Sequence, residues 1–278
     1  YTTSGSPNGT MADYPIFTGG LVYADGMLWG AKVNEDGDDS TPTEVRVGGS
    51  TYAHGMKAGR AIYVDGILKG ADDPAMNHVW RVRKDWATGD LTKDAANYYK
   101  TSPGEVTADQ ILAVKTEYED HWMNWPTAWG APYQNNDGVD GYDPLSGDIP
   151  GYPGADQTLW TVANDIPTIV DAAGDSINTL DTAPTLYGAD AIGVELQITM
   201  WAYAYGADAP LGNIVFKGAK MKYVGLPGGN ANASMDSVYF TQWSDPDLGT
   251  YTDDYVGCDV DLSFGYVYNG NRLDGVFN

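Results

Sequence analysis

The chain has 278 residues, enough to bury a sizeable core without disulfides, and its single cysteine, Cys258, excludes an intrachain bridge or a multi-cysteine metal site. With 38 acidic against 15 basic residues and a net charge of −23, it lacks the cationic patches that nucleic acid or an anionic membrane surface requires. Hydrophobic residues make up 42% and aromatics 12%, so the chain folds despite its charge, and divalent cations are expected to offset the self-repulsion.

In chain order, the first hundred residues read as short strands: 21–24, 27–33, 44–47 and 60–64. Asp25-Gly26 and Asp65-Gly66 are hairpin signals, because glycine accepts the positive φ of a tight turn. Tyr23 to Ala31 resembles Tyr63 to Ala71 at an offset of 40, which predicts a duplicated hairpin. A shorter helix is expected over 92–99. A longer one runs over 107–122, where Thr107 and Gln110 fit a capping box and Ile111, Val114, Tyr118 and Trp122 share a face. Prolines 132, 144, 150 and 153 break up the following loop, so a boundary is placed there: a hairpin-rich region over 1–130, a Pro/Gly/Asp-rich loop over 131–156, and a sandwich-like region over 157–278. Beyond it, Val194, Leu196, Ile198 and Met200 alternate with Glu195, Gln197, Thr199 and Trp201, and strands follow over 213–224, 237–243 and 260–268. The expected fold is mainly β, an antiparallel sandwich or jelly roll with one or two short helices. No apolar run approaches the length of a membrane span.

Candidate chemistry concentrates in acidic, glycine-rich loops. Asp245, Asp247, Asp253, Asp254 and Asp259 form the first candidate calcium cluster and Asp137, Asp140 and Asp143 the second, since hard carboxylate and carbonyl oxygens suit that cation. Asn34 to Asp39 reads as turn chemistry. Neither cluster matches the EF-hand loop. His54, His78 and His121 lack the HExxH spacing of a zinc peptidase, and no GxSxG elbow or P-loop occurs. Glu195 with Glu105 or Glu117 is the remaining route to an enzyme, a glycosidase, but Glu195 reads as an ordinary polar strand residue, and a catalytic centre is not expected. Trp125, Trp129 and Trp243 are candidate sugar platforms. Cys258 reads as a small buried hydrophobe.

Several blocks resemble a family: the run from Asp236 through Trp243 and Asp245 to Gly249, then Asp253 to Asp259 and Leu262 to Gly270, with Val45 to Gly49, Trp125 to Pro132 and Pro153 to Thr158. They are similar to the amino-terminal region of large secreted proteins of Bacteroidota, Ignavibacteria and related phyla, many bearing a type IX secretion sorting domain. The resemblance implies an extracellular or cell-surface location and no catalytic residues. A start at Tyr1 without a signal-like segment agrees with a processed secreted product.

These readings converge on an extracellular structural protein that assembles with its own copies into a surface layer, sheath or filament and is stabilised by calcium. The alternative is a glycan-binding or adhesive module. Strands 194–205 and 260–268 contain neither Lys nor Pro and are expected as open edges, to which Tyr1 to Thr10 of a neighbour would add a strand in a head-to-tail homopolymer.

Overall fold

The computed structural model describes residues 12–14, 19–38, 40, 42–64, 67–70, 78–167, 173–175, 185–206, 209–226, 229 and 231–272. The strands are β1 (Ala12–Asp13), β2 (Gly20–Val22), β3 (Ala24–Asn34), β4 (Glu44–Gly49), β5 (Lys57–Ala58), β6 (Ala61–Val64), β7 (Ile67–Gly70) and β8 (Trp80–Arg83), then β9 (Tyr133–Gln134), β10 (Ile149–Pro150), β11 (Gln157–Asn164), β12 (Val194–Ala202), β13 (Val215–Tyr223), β14 (Ser234–Asp245), β15 (Asp254–Asp259) and β16 (Phe264–Asn269). Two helices, α1 (Thr92–Tyr99) and α2 (Ala108–Met123), separate β8 from β9. The fold is mainly β and its strand pairs are antiparallel. No described helix is long and apolar enough to cross a membrane.

The larger sheet runs β13-β12-β11, and the far side of β11 is shared by β8 and β5. The smaller sheet runs β14-β3-β4. Each draws strands from both sides of the 131–156 loop. The two sheets face each other through alternate residues of their central strands: Met27, Trp29, Ala31 and Val33 of β3 meet Val194, Leu196 and Ile198 of β12. Period-two alternation places those seven side chains on the inner face, and their burial drives the packing.

The other face of the larger sheet is covered as well. Trp80, Val82, Trp160 and Val162 of β8 and β11 pack under Trp125 and Ala131, with Trp122 and Trp129 at the margin. α2 brings this cover into place. Thr107 caps it by accepting the amide of Gln110, whose side chain in turn accepts the amide of Thr107. Val114 and Tyr118 then seal α2 against Leu91 and Ala95.

A buried carboxylate sets the central register. Between β11 and β12, Asp165 accepts the amides of Ile192 (2.9 Å), Gly193 (3.1 Å) and Val194 (2.5 Å), while its own amide donates to the Val194 carbonyl. Burial pushes the Asp165 pKa up and the three amides push it back down. The clasp aligns eight residue pairs from Gln157–Ala202 to Asn164–Glu195.

Several expectations are corrected. Asp25-Gly26 makes no turn, because β3 runs straight through it. Gly26 is required there instead by the Ser50 carbonyl, which a β-carbon would meet at 2.1 Å. Its sequence counterpart does flank a hairpin, β6 with β7, so the repeat is not a duplicated structure; Asp65 and Gly66 themselves lie outside the described residues. The strand expected over 260–268 is a hairpin whose turn occupies 260–263. β12 is no edge, since it lies between β11 and β13. Tyr1 to Thr10 lies outside the described residues. Cys258 is exposed on β15.

Replacing Asp165 by Asn puts an amide group where one carboxylate oxygen accepts protein N–H groups. Asp165→Asn should lower unfolding stability by about 2–4 kcal/mol, because it leaves buried donors unsatisfied. The shift of the urea midpoint at unchanged slope measures it.

Candidate functional site: acidic corner and open strands

β14 ends where the first acidic cluster begins. After Asp245 the chain stays beside β2, with Asp247 N donating to the Leu21 carbonyl and Gly249 N to Gly20. Asp245 accepts the Tyr52 hydroxyl at 2.6 Å, and that bond pushes the Tyr52 pKa up to about 12. Tyr52 in turn packs edge-on against Trp243 at 4.8 Å. Asp254 spends one oxygen on the Leu248 amide (2.8 Å), while its other oxygen is buried and has no hydrogen-bond partner. Partial burial, with Asp245 and Asp254 nearby, pushes the Asp247 pKa up. Asp245, Asp247 and Asp254 are therefore brought together as mutually repelling charges. Among the described residues, no three acidic, histidine or cysteine side chains already stand in a coordination arrangement.

Asp253 and Asp259 serve the β15–β16 hairpin instead. Asp253 accepts the Asn271 amide at its open end, and Asp259 accepts the Leu262 amide at its turn. Five residue steps of about 3.3 Å separate Asp259 from Asp254 along β15, too far to share an ion.

The second cluster is organised by a residue the sequence pattern did not single out. Asp148 is 2% exposed and accepts the Asn136 and Asp143 amides (2.8 and 3.0 Å), and those backbone bonds lower its pKa. Asp137 accepts the Val139 amide and Asp143 the Leu145 amide and Ser146 hydroxyl, so both act as turn formers; Asp140 is exposed. Asn34 and Asp36 do the same for Gly37 and Asp38. The only advance signal for Asp148 was its place before Ile149-Pro150 at the loop's return.

The glutamates have separate structural roles. Glu195 is fully buried, against expectation, and accepts the Ala61 amide and the Gln197 side chain, both at 3.0 Å. Glu117 pairs with Arg81, and Glu105 caps a turn at Ser102. Trp125 is core, donating to the Pro132 carbonyl at 2.7 Å. His121 stacks on His78 at 5.1 Å, and burial pushes its pKa down.

The other candidate surface is apolar. Among the described residues β14 pairs only with β3, so the opposite edge of its twelve residues is open. On this strand Tyr239 is 79% exposed, flanked by exposed Val238 and Phe240. Among the described residues β15 and β16 pair only with each other, and Tyr255, Val256, Phe264, Tyr266 and Tyr268 are exposed.

No family model, curated protein or solved structure matches the chain.

A raised carboxyl pKa costs stability when the group ionises, so the Asp247 penalty is absent below the unfolded value near 3.9 and grows as pH rises through the folded one. Asp247→Asn should raise the melting temperature at pH 7 and leave it unchanged at pH 3.5 relative to the parent chain. Calorimetry at the two pH values measures the difference.

Proposed function

We propose that this chain is an extracellular structural protein that assembles with its own copies, through the free edge of β14 and the adjoining apolar surface, into a surface layer, sheath or filament. The observation that carries the reading is the contrast between edges. Soluble proteins blunt exposed strands with lysine, proline or charge. β13, at the rim of the larger sheet, carries Lys217, Lys220 and Lys222, and β4 carries Glu44 and Arg46. β14 has neither lysine nor proline over twelve residues, and its two charges, Asp236 and Asp245, lie on either side of a run that presents Val238, Tyr239 and Phe240 to solvent.

The β15–β16 hairpin points the same way. Two six-residue strands with both faces in water are marginal in isolation. Covering their five exposed aromatic and aliphatic side chains offsets the cost of ordering them. A second copy is the economical cover, because a free edge on β14 accepts a strand from an identical chain in a contact that need not close into a ring.

Calcium belongs in the same reading. Asp245, Asp247 and Asp254 repel one another beside the open edge, and Asp254 holds a buried oxygen without a partner. A cation between these carboxylates removes that repulsion and binds the folded state alone, so stability rises with the logarithm of its concentration. The resemblance of the sequence blocks to secreted proteins supports an extracellular setting, where calcium is present at millimolar concentration.

Sedimentation velocity and negative-stain microscopy, with calcium and with chelator, test the proposal. The parent chain should form ordered polymers in calcium and dissociate in chelator. Tyr239→Lys, which places a charge on the free edge, should remain a folded monomer in both. Monomers at every calcium concentration, or undiminished polymers from Tyr239→Lys, would overturn it.

A further inference from the structure

The cover over the second face of the larger sheet stops short of its β13 side. Trp125, Trp129 and Ala131 close the face above β8 and β11, but Thr199 and Trp201 of β12 and Gly218 and Lys220 of β13 are left beneath an open cleft of about 240 Å³. Gly130 and Pro132 form one wall and Tyr152 another. We infer that this cleft binds a single sugar ring bearing a carboxylate, a uronic acid residue of an acidic glycan.

Four observations set that chemistry. The first is an aromatic wall: Tyr152 stacks on Trp201 at 3.9 Å and 8°, and Trp201 stacks on its cross-strand neighbour Phe216 at 5.5 Å and 12°. Tyr152 is 39% exposed, so the wall is partly open to a ligand, and the C–H face of a pyranose is an apolar surface that packs on such rings.

The second is a pair of unmet polar atoms beside it. Trp160 and Gln197 both line the cleft, and the Trp160 indole N–H and the Gln197 Oε1 are buried with no hydrogen-bond partner. The amide orientation of Gln197 is fixed from its other end, where Nε2 donates to the Trp129 carbonyl (2.9 Å) and to Glu195 (3.0 Å). One donor and one acceptor are thus left unpaired just behind the cleft lining, and sugar hydroxyls, which donate and accept, complement both once the lining side chains part on binding.

The third is charge. Lys220 lines the cleft, Lys222 follows on the same face two residues on, and both are exposed with no carboxylate partner among the described residues. In a chain of 38 acids and 15 bases, adjacent unpaired lysines at a cleft select an anion. The net charge of −23 does not forbid it, because repulsion from charges beyond about 8 Å is screened at physiological ionic strength while Lys220 acts at contact.

The fourth is size. The cleft lies below the roughly 300–1,000 Å³ of pockets that enclose drug-sized ligands, so it holds one ring and leaves its neighbours in solvent. The site lies on the face of the larger sheet that points away from β14, and it does not rest on the assembly reading.

Saturation-transfer NMR and calorimetry test the assignment, using a glucuronic-acid-containing disaccharide and the neutral glucose disaccharide as probes on Tyr239→Lys as well as on the parent chain. The acidic probe should bind both proteins at least about tenfold more tightly than the neutral one, the worth of one charge-assisted hydrogen bond. That preference should shrink with added salt. Lys220→Met should erase it, and Tyr152→Ala should weaken both sugars with an unchanged circular dichroism spectrum. Absence of binding, equal binding of the two probes, or an acidic preference that survives Lys220→Met would overturn the inference.

Discussion

The Asp165 carboxylate is the point on which the rest of the molecule depends. β11 and β12 are the central antiparallel pair, yet they are separated by an excursion from Ile166 to Ala191, and closing so long a loop carries an entropic cost before any ladder forms. Asp165 answers this by taking three consecutive amides at 192–194, so the chain leaving β11 and the chain entering β12 are tied at one buried point. A slip of one residue there would exchange the two faces of β12. Val194, Leu196 and Ile198 would leave the sandwich core, and Glu195 and Gln197 would enter it without the partners they now hold, the amide of Ala61 at the start of β6 and the carbonyl of Trp129.

Both faces of β12 are buried at its start, and this explains where sequence reading succeeded and where it failed. The alternation Val194–Leu196–Ile198 against Glu195–Gln197–Thr199 predicted the strand and its inner face correctly, but it also implied that Glu195 and Gln197 meet solvent. Nothing local signals that a helix eighty residues upstream, capped by Thr107 and Gln110, delivers Trp125 and Trp129 as a roof. α1 and α2 match the expected ranges to within a residue, and for α2 the reason is that capping and 3.6-residue spacing are local chemistry. Asp25-Gly26 misled for the opposite reason: glycine was required by the approach of the Ser50 carbonyl, a contact twenty-four residues away, and not by a turn.

The acidic loops divide along a similar line. Asp137, Asp143 and Asn34 each accept an amide within three residues of their own side chain, so the density of Asp and Asn there records turn geometry. Asp245, Asp247 and Asp254 differ because β14 and β15 converge on them from separate pairings, with β3 and with β16, and that convergence is tertiary. Composition grouped all five carboxylates of that region and could not separate Asp245, Asp247 and Asp254 from Asp253 and Asp259, which stabilise the two ends of a hairpin.

Charge placement then sorts the surfaces. With only 15 basic residues, each lysine or arginine is informative by position. Arg46, Arg81 and Arg83 are consumed holding Glu44 and Glu35, Glu117, and Asp85 and Asp94, while Lys217 closes on Asp25 across the sandwich. What remains on β13, Lys220 and Lys222, guards an edge that would otherwise recruit a strand and also borders the cleft left open by the roof. A lysine at a strand edge is usually read only as protection against aggregation. Beside stacked aromatics and unpaired buried polar atoms, the same positive charge also makes the rim attractive to an anion, so one short strand both prevents one kind of association and favours another. β14 has no lysine, and between its carboxylates Asp236 and Asp245 it presents the exposed side chains of Val238, Tyr239 and Phe240.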